Sequence, residues 1–247
     1  GDFILQRLTD WGVKQVFGYP GDGINGLMGA MGRAADRFDY VRVRHEEMAA
    51  FMAGAHAKFT GEVGVCFATS GPGAIHLLNG LYDAKMDHMP VVAIVGQSKR
   101  SALGSDFQQE VDLQSLYKDL AGYVETITSP LQVRHVIDRA FRIAAAERTV
   151  ACVIVPNDLQ ELAAVESPPR QNGVVYSGVG YANARPVPSQ AELHRAAEIL
   201  NSGKRVAILV GAGALKACDE VAAVANRRGA GVAKAQLGKA VLPYDLP

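Results

Sequence analysis

The sequence predicts an α/β fold: a parallel sheet flanked by helices on both faces, followed by the beginning of a second α/β domain. Three observations predict it. From Lys14 to Pro156, short β-branched runs alternate with longer amphipathic stretches. Two glycine-rich turns, Gly18-Tyr19-Pro20-Gly21-Asp22-Gly23 and Ser70-Gly71-Pro72-Gly73, fall where a strand should give way to a helix. After a stretch in which Pro, Gly, Ser and Asn accumulate, a new helix–strand–helix–strand pattern begins.

In chain order, the apolar runs predict strands at Gln15 to Phe17, Tyr40 to Arg44, Val63 to Ala68, Val91 to Val95, Tyr123 to Ile127 and Ala151 to Val155, with helices in the gaps. Between Pro130 and Glu147, Leu131, Val133, Val136, Ile137, Ala140, Phe141, Ile143 and Ala144 recur at spacings of three and four and lay one apolar stripe on a helix. Met48 to Ala57 is small and apolar almost all round, so that helix should be covered on every face, one of them by a partner subunit. The first domain is expected over residues 1–165, a linker over 166–188, and a partial second domain over 189–247. In the latter, Gln190 to Asn201 and Ala214 to Arg228 read as helices, Arg205 to Val210 and Gly231 to Ala235 as strands. A core of this size is near the lower limit for independence, so the chain is expected to be the front part of something longer.

Composition excludes several classes. Lys plus Arg number 25 and Asp plus Glu 25, so no net charge attracts nucleic acid or anionic lipid. No apolar stretch reaches the roughly 18 residues of a membrane span, and Gly1 to Gly12 lacks the basic start of a secretory signal, which makes the cytoplasm the expected location. The sequence does not begin with Met, and a preceding segment could carry a signal. Cys66, Cys152 and Cys218 lie far apart and read as small buried hydrophobes.

The turns are not recognised phosphate cradles. No G-x-x-x-x-G-K-[ST] occurs, and Gly211-Ala212-Gly213 has Lys216 where a third glycine would complete a dinucleotide fingerprint. Ala68 stands where a nucleophile elbow needs glycine, which counts against a hydrolase. The histidines, His45, His56, His76, His88, His135 and His194, show no i, i+4 pair, so no protein-built metal site is expected. Arg44-His45-Glu46-Glu47 is the most chemical segment, ending a strand and heading the very apolar helix. One glutamate there serves the helix dipole. The other, pushed among Ala, Met and Phe, would have its ionised form disfavoured, which suits a group that gives and takes a proton.

Phe17-Gly18-Tyr19-Pro20-Gly21, Arg44-His45-Glu46-Glu47, Ser70-Gly71-Pro72-Gly73 with His76, Asn79 and Gly80, Pro90 to Ile94, and Phe107-Gln108 occur in an order and spacing that resemble the pyrimidine-binding domain of thiamine diphosphate enzymes. The branch is that of pyruvate oxidase, quinone-linked pyruvate dehydrogenase and acetolactate synthase, and the part from about residue 187 resembles the start of that family's Rossmann-like central domain. The resemblance implies decarboxylation of a 2-keto acid, pyruvate by preference, with oxidative transfer of the two-carbon unit. The alternatives are an acetolactate synthase-like carboligase or a non-catalytic fragment that binds a cofactor or partner. It implies Glu46 as the catalytic residue that moves a proton on the aminopyrimidine. Tyr19, Pro20, Gly21, Thr69, Pro72 and His76 would border that ring, His76, Phe107 and Gln108 the substrate, and Gly211 and Gly213 FAD if it is present.

The family holds diphosphate and Mg²⁺ on a further domain through G-D-G followed by a spaced asparagine. Gly21-Asp22-Gly23 imitates its start but is followed near the needed distance by Glu46, Glu47 and Met48. The resemblance therefore implies that Mg²⁺ is bound outside this chain, that the chain alone is inactive, and that sites form between subunits of a homodimer or homotetramer.

Overall fold

A computed structural model describes residues 1–166, 175–182 and 186–244, in two compact units, Gly1–Asn183 and Ala184–Pro247. The first is built on a six-stranded sheet of β1 (Gln15–Gly18), β2 (Asp39–Arg42), β3 (Gly64–Ala68), β4 (Val91–Gln97), β5 (Tyr123–Thr126) and β6 (Val150–Pro156). The spatial order is β2-β1-β3-β4-β6-β5, and every pair is parallel. Each predicted strand is present, because a parallel strand covered on both faces reads as an unbroken β-branched run. β3, β4 and β6 are buried at every residue.

Among the described residues, seven α-helices cover the sheet: α1 (Asp2–Asp10), α2 (Asn25–Arg33), α3 (Glu46–Thr60), α4 (Pro72–His76), α5 (Leu78–Met86), α6 (Leu113–Tyr117) and α7 (Val133–Glu147). Alternate strand residues point to opposite faces, which splits the core in two. Phe67, Val92, Ile94 and Val153 pack with α1, α2 and α7; Cys66, Ala93, Val95 and Ile154 pack with α3 to α6. Cys66 and Cys152 are buried thiols of this second layer, and burial pushes Cys66 up to about 12, so neither is a ready nucleophile.

The stripe between Pro130 and Glu147 forms from Val133 onward, with Leu131 left exposed and Asp138, a residue of the expected solvent side, buried beside Arg7; its first turn, Pro130–Gln132, is 3₁₀ and α7 follows it. Ser129 and Gln132 close a capping box there. α3 departs from the expected Met48 to Ala57 in two ways. It begins at Glu46, where the His45 side chain caps it, and ends at left-handed Gly61. It is also not covered all round: Ala49, Ala50, Ala53 and Ala57 are buried, whereas Met48 is 50% and Phe59 90% exposed. Small residues let α5 and β3 approach closely on one side, whereas among the described residues Met48 and Phe59 stay exposed on the other.

Of the expected linker, residues 167–174 and 183–185 lie outside the described residues. Residues 175–182 are tied to α7: Ser177 donates to Asp138, and Arg142 donates to the carbonyls of Gly178 and Gly180. The second unit holds α8 (Gln190–Ser202), β7 (Ala207–Val210), α9 (Cys218–Arg228) and β8 (Gly231–Lys234), with β7 and β8 parallel. The helix expected from Ala214 starts four residues later, after a 3₁₀ turn at Ala212–Ala214. Among the described residues, no helix is long and apolar enough to cross a membrane.

Candidate active site

The chain runs from β1 outward to β2, then returns past β1 to β3, so the sheet reverses direction between β1 and β3. At such a point the carboxyl ends of neighbouring strands diverge and open a crevice. Both glycine turns belong to it, one following β1 and the other following β3. They interlock rather than merely neighbour each other. The N–H of Gly23 donates to Thr69 Oγ1 at 2.9 Å, and a Cβ on Gly21 would lie 2.5 Å from Thr69 Cβ. Gln160, 2% exposed, holds the first turn from beneath by donating to the carbonyls of Gly23 and Val155 and accepting from the N–H of Leu27. Gly71 is left-handed at φ 59°, with the Gln109 backbone against it, so the second turn needs glycine there.

Glu46 comes to this crevice from the first turn of α3 and is 8% exposed. Its Oε2 lies 3.0 Å from Nδ1 of His76, at the end of α4, and its Oε1 stands 3.3 Å from where a Cβ on Gly73 would be. Thr69, 8% exposed, flanks Gly73 as well, so Glu46, Thr69, Pro72 and His76 meet around one helical turn. His45 stacks on His76 with ring centroids 4.4 Å apart. Of the two glutamates, Glu47 is the more exposed; it accepts from the Asn79 amide and offsets the helix dipole.

Phe107 and Gln108 sit on the loop after the 3₁₀ turn Arg100–Ala102, and Phe107 is 48% exposed. Glu110 organises that loop by accepting from the N–H groups of Gly104 and Phe107, which holds its carboxyl below the usual carboxylate range. Asp106 and Gln109 have positive φ, and Ser70 donates to Gln109, joining loop to turn. A cleft of 340 Å³ runs between them, lined among others by Gly23, Ser70, Gln97, Lys99, Phe107 and Gln108. Glu46 and His76 do not line it. A cleft of equal volume at the opposite end of the strands, beside Trp11, His56 and Arg148, holds none of the sequence-predicted residues.

Tyr19 is 39% exposed and Pro20 is exposed, so both turn to solvent. Gly211 and Gly213 belong to the second unit, after β7, where a Cβ on either would meet nothing within 4 Å. No close approach there demands glycine. Sequence reasoning passed over His45 except as a family marker, and missed Gln109, Glu110 and Gln160. Their roles come from contacts across the fold, and no local spacing signals them.

The fold and the cluster define a parallel α/β domain that brings a buried, hydrogen-bonded carboxylate to a backbone-lined crevice at a sheet's switch point. The family described as "Thiamine pyrophosphate enzyme, N-terminal TPP binding domain" matches residues 1–116, and "Thiamine pyrophosphate enzyme, central domain" matches residues 193–247. The chain belongs to the thiamine pyrophosphate enzyme family. It is 38% identical over 223 residues to the pyruvate oxidase of Lactiplantibacillus plantarum, an alignment covering 90% of this chain and 36% of that protein. It is 33% identical over 241 residues to the acetolactate synthase large subunit of Parasynechococcus marenigrum, covering 96% and 39%. Against the chloroplastic acetolactate synthase of Arabidopsis thaliana, identity is 30% over 246 residues, covering 99% and 36%. The chain thus spans less than two thirds of the length of these curated relatives.

Proposed function

We propose that this chain supplies the pyrimidine half of a thiamine diphosphate site in an enzyme that decarboxylates a 2-keto acid, pyruvate by first choice, and passes the two-carbon unit on oxidatively. The observation that carries the reading is the Glu46 carboxylate, buried at the meeting of the two glycine turns with His76 on one oxygen and Gly73 beside the other.

The residues fit the group. A flat aminopyrimidine needs a backbone-lined crevice and a carboxyl to meet its ring nitrogen, and the turns that Gly21, Gly23 and Gly73 allow to pack against Thr69 and Ser70 bring the two together. Thiamine diphosphate, when bound, supplies a nucleophilic carbon and a sink for the electron pair released on decarboxylation. Glu46 holds and moves the proton at that ring nitrogen. Thr69 and Pro72 fix the edge of the crevice, and burial keeps water from competing for the carboxylate. His76 orients Glu46 and faces the substrate side. Phe107 and Gln108 border the substrate from their loop, and Lys99 lines the same cleft as a cation able to meet a carboxylate. Pyruvate-oxidising chemistry is favoured by His76, where synthase-like members tend to carry asparagine. Diphosphate and Mg²⁺ are assigned to a part of the protein outside this chain, and FAD to the central domain.

A second copy of the chain is proposed to cover the open side of α3 and α5. Met48 and Phe59 on α3 and Tyr82 and Met86 on α5 expose apolar surface at helical spacing beside the site.

The test is proton exchange at the reactive carbon of thiamine diphosphate bound to the full-length protein, followed by NMR in D₂O. Glu46→Gln should slow exchange by at least about a hundredfold, the scale of general acid–base catalysis. Wild-type exchange in that variant would remove Glu46 from the role.

A further inference from the structure

We infer that His45, Glu46 and His76 also form a site for a borderline divalent cation of the Zn²⁺ class, whose occupation excludes the aminopyrimidine from Glu46. The exclusion rests on the function proposed above; the cation site does not.

One ligating atom from each of the three residues lies within 4.8 Å of the others. The Glu46–His76 pair is already at 3.0 Å. Two ligands on a tetrahedral Zn²⁺, each at about 2.0–2.1 Å, are about 3.3 Å apart. A cation can therefore replace the shared proton with little movement. His45 supplies the third donor. It stacks against His76 at an interplanar angle of 30°, and its side chain is 49% exposed, so it can rotate to close the set. The donors come from two elements, the start of α3 and the end of α4, which fixes their backbones independently of any ion.

Charge points the same way. Glu46 and Glu47 bring two negative charges to the cluster, Glu47 lying 3.9 Å from the His45 ring, whereas the amino end of α3 offsets only about half a charge. Two imidazoles and one carboxylate are the donor set of open Zn²⁺ sites. Mg²⁺ and Ca²⁺ prefer all-oxygen ligation, so the cluster selects against the cation assigned to the diphosphate. A cation on Glu46 Oε2 keeps the carboxyl deprotonated, so its other oxygen, beside Gly73, has no proton to share with the ring nitrogen. Zn²⁺-class ions are thus expected to block cofactor loading at the carboxylate while leaving the diphosphate end untouched.

The probe is Co²⁺ added to the full-length protein freed of cofactor, in excess Mg²⁺. The expected result is one equivalent giving the intense visible band of four- or five-coordinate cobalt, bleached by Zn²⁺ and by thiamine diphosphate. His45→Gln and His76→Gln should each weaken binding by at least about tenfold, since loss of a ligand costs no less than loss of its support. His45 also caps α3 by accepting from the Glu47 N–H, and glutamine keeps an acceptor oxygen there, so circular dichroism of the variant separates lost ligation from a lost cap. Absence of the band, or a band unchanged in both histidine variants, would overturn the site. A band that persists under saturating thiamine diphosphate would overturn the exclusion. Carbon-bound proton exchange in Glu46→Gln reads the proposed function separately, with no added cobalt.

Discussion

The two units of this chain carry the same strand–helix–strand pattern in their sequences, yet reach different degrees of closure. In the first, helices cover both faces of the sheet, and β3, β4 and β6 have no exposed residue. In the second, α8 is exposed over its whole length, Leu209 of β7 is 76% exposed, and the buried cluster centres on Val210, Val241 and Leu242. Periodicity nominates elements, but a parallel sheet acquires a core only when a layer lies on each face. The site lies in the closed unit because its interlocked turns need a rigid sheet beneath them.

The largest effect that sharpens this contrast is a cavity in the closed unit. Phe67 is fully buried in β3, so Phe67→Ala should destabilise the first unit by about 3–5 kcal/mol in urea unfolding. Leu209→Ala should shift the second unit by no more than about 0.5 kcal/mol. Equal losses would break the comparison.

Charged groups provide the next test. Asp138 is completely buried and accepts from Arg7, from the indole N–H of Trp11 and from Ser177. Asp138→Ala leaves buried Arg7 with Asp10 as its remaining carboxylate and strands the Trp11 indole N–H, an expected loss of about 3 kcal/mol that also frees residues 175–182 to proteolysis. The Arg33–Asp2 pair is screened by solvent and should contribute little to stability, so Asp2→Ala serves as the control.

The smallest expected effect concerns the Phe107–Gln108 loop. The folded protein holds Glu110 below its ordinary value of 4.5 through the N–H groups of Gly104 and Phe107. A depressed carboxylate contributes stability that is present above the unfolded value and is lost as pH falls through the folded one. Loop amide exchange, corrected for intrinsic rate, should therefore stay level above about pH 5 and rise below it. Glu110→Gln should remove that acid dependence; an unchanged profile would mean that Glu110 does not order the loop.

Much of the architecture was legible in residues that act locally. Val91 to Val95 and Ala151 to Val155 are β-branched runs that could be little else, and Gly18 to Gly23 and Ser70 to Gly73 are turns by composition. The helix after Arg44 was legible too, with both glutamates at its head, but its cap by the His45 side chain was not. The pairing of Glu46 with His76, thirty residues apart, had no local signal, nor did the support of Gly23 by Gln160, 137 residues away. Composition recorded that every face of α3 needs cover without recording where the cover comes from, and one subunit supplies it at Ala49, Ala50, Ala53 and Ala57.

By itself, the sequence determined the order of strands and helices, the glycines of the two turns and the presence of a carboxylate at the head of an apolar helix, since backbone preference and side-chain periodicity act over a few residues. Only the tertiary structure decided that β1 and β3 would part at a switch point, that Thr69 would receive the Gly23 N–H, and that His45, Glu46 and His76 would share a few ångströms of space. Those outcomes depend on how parallel strands are ordered and how helices pack across them, so residues distant in the chain meet only once the whole layer has closed.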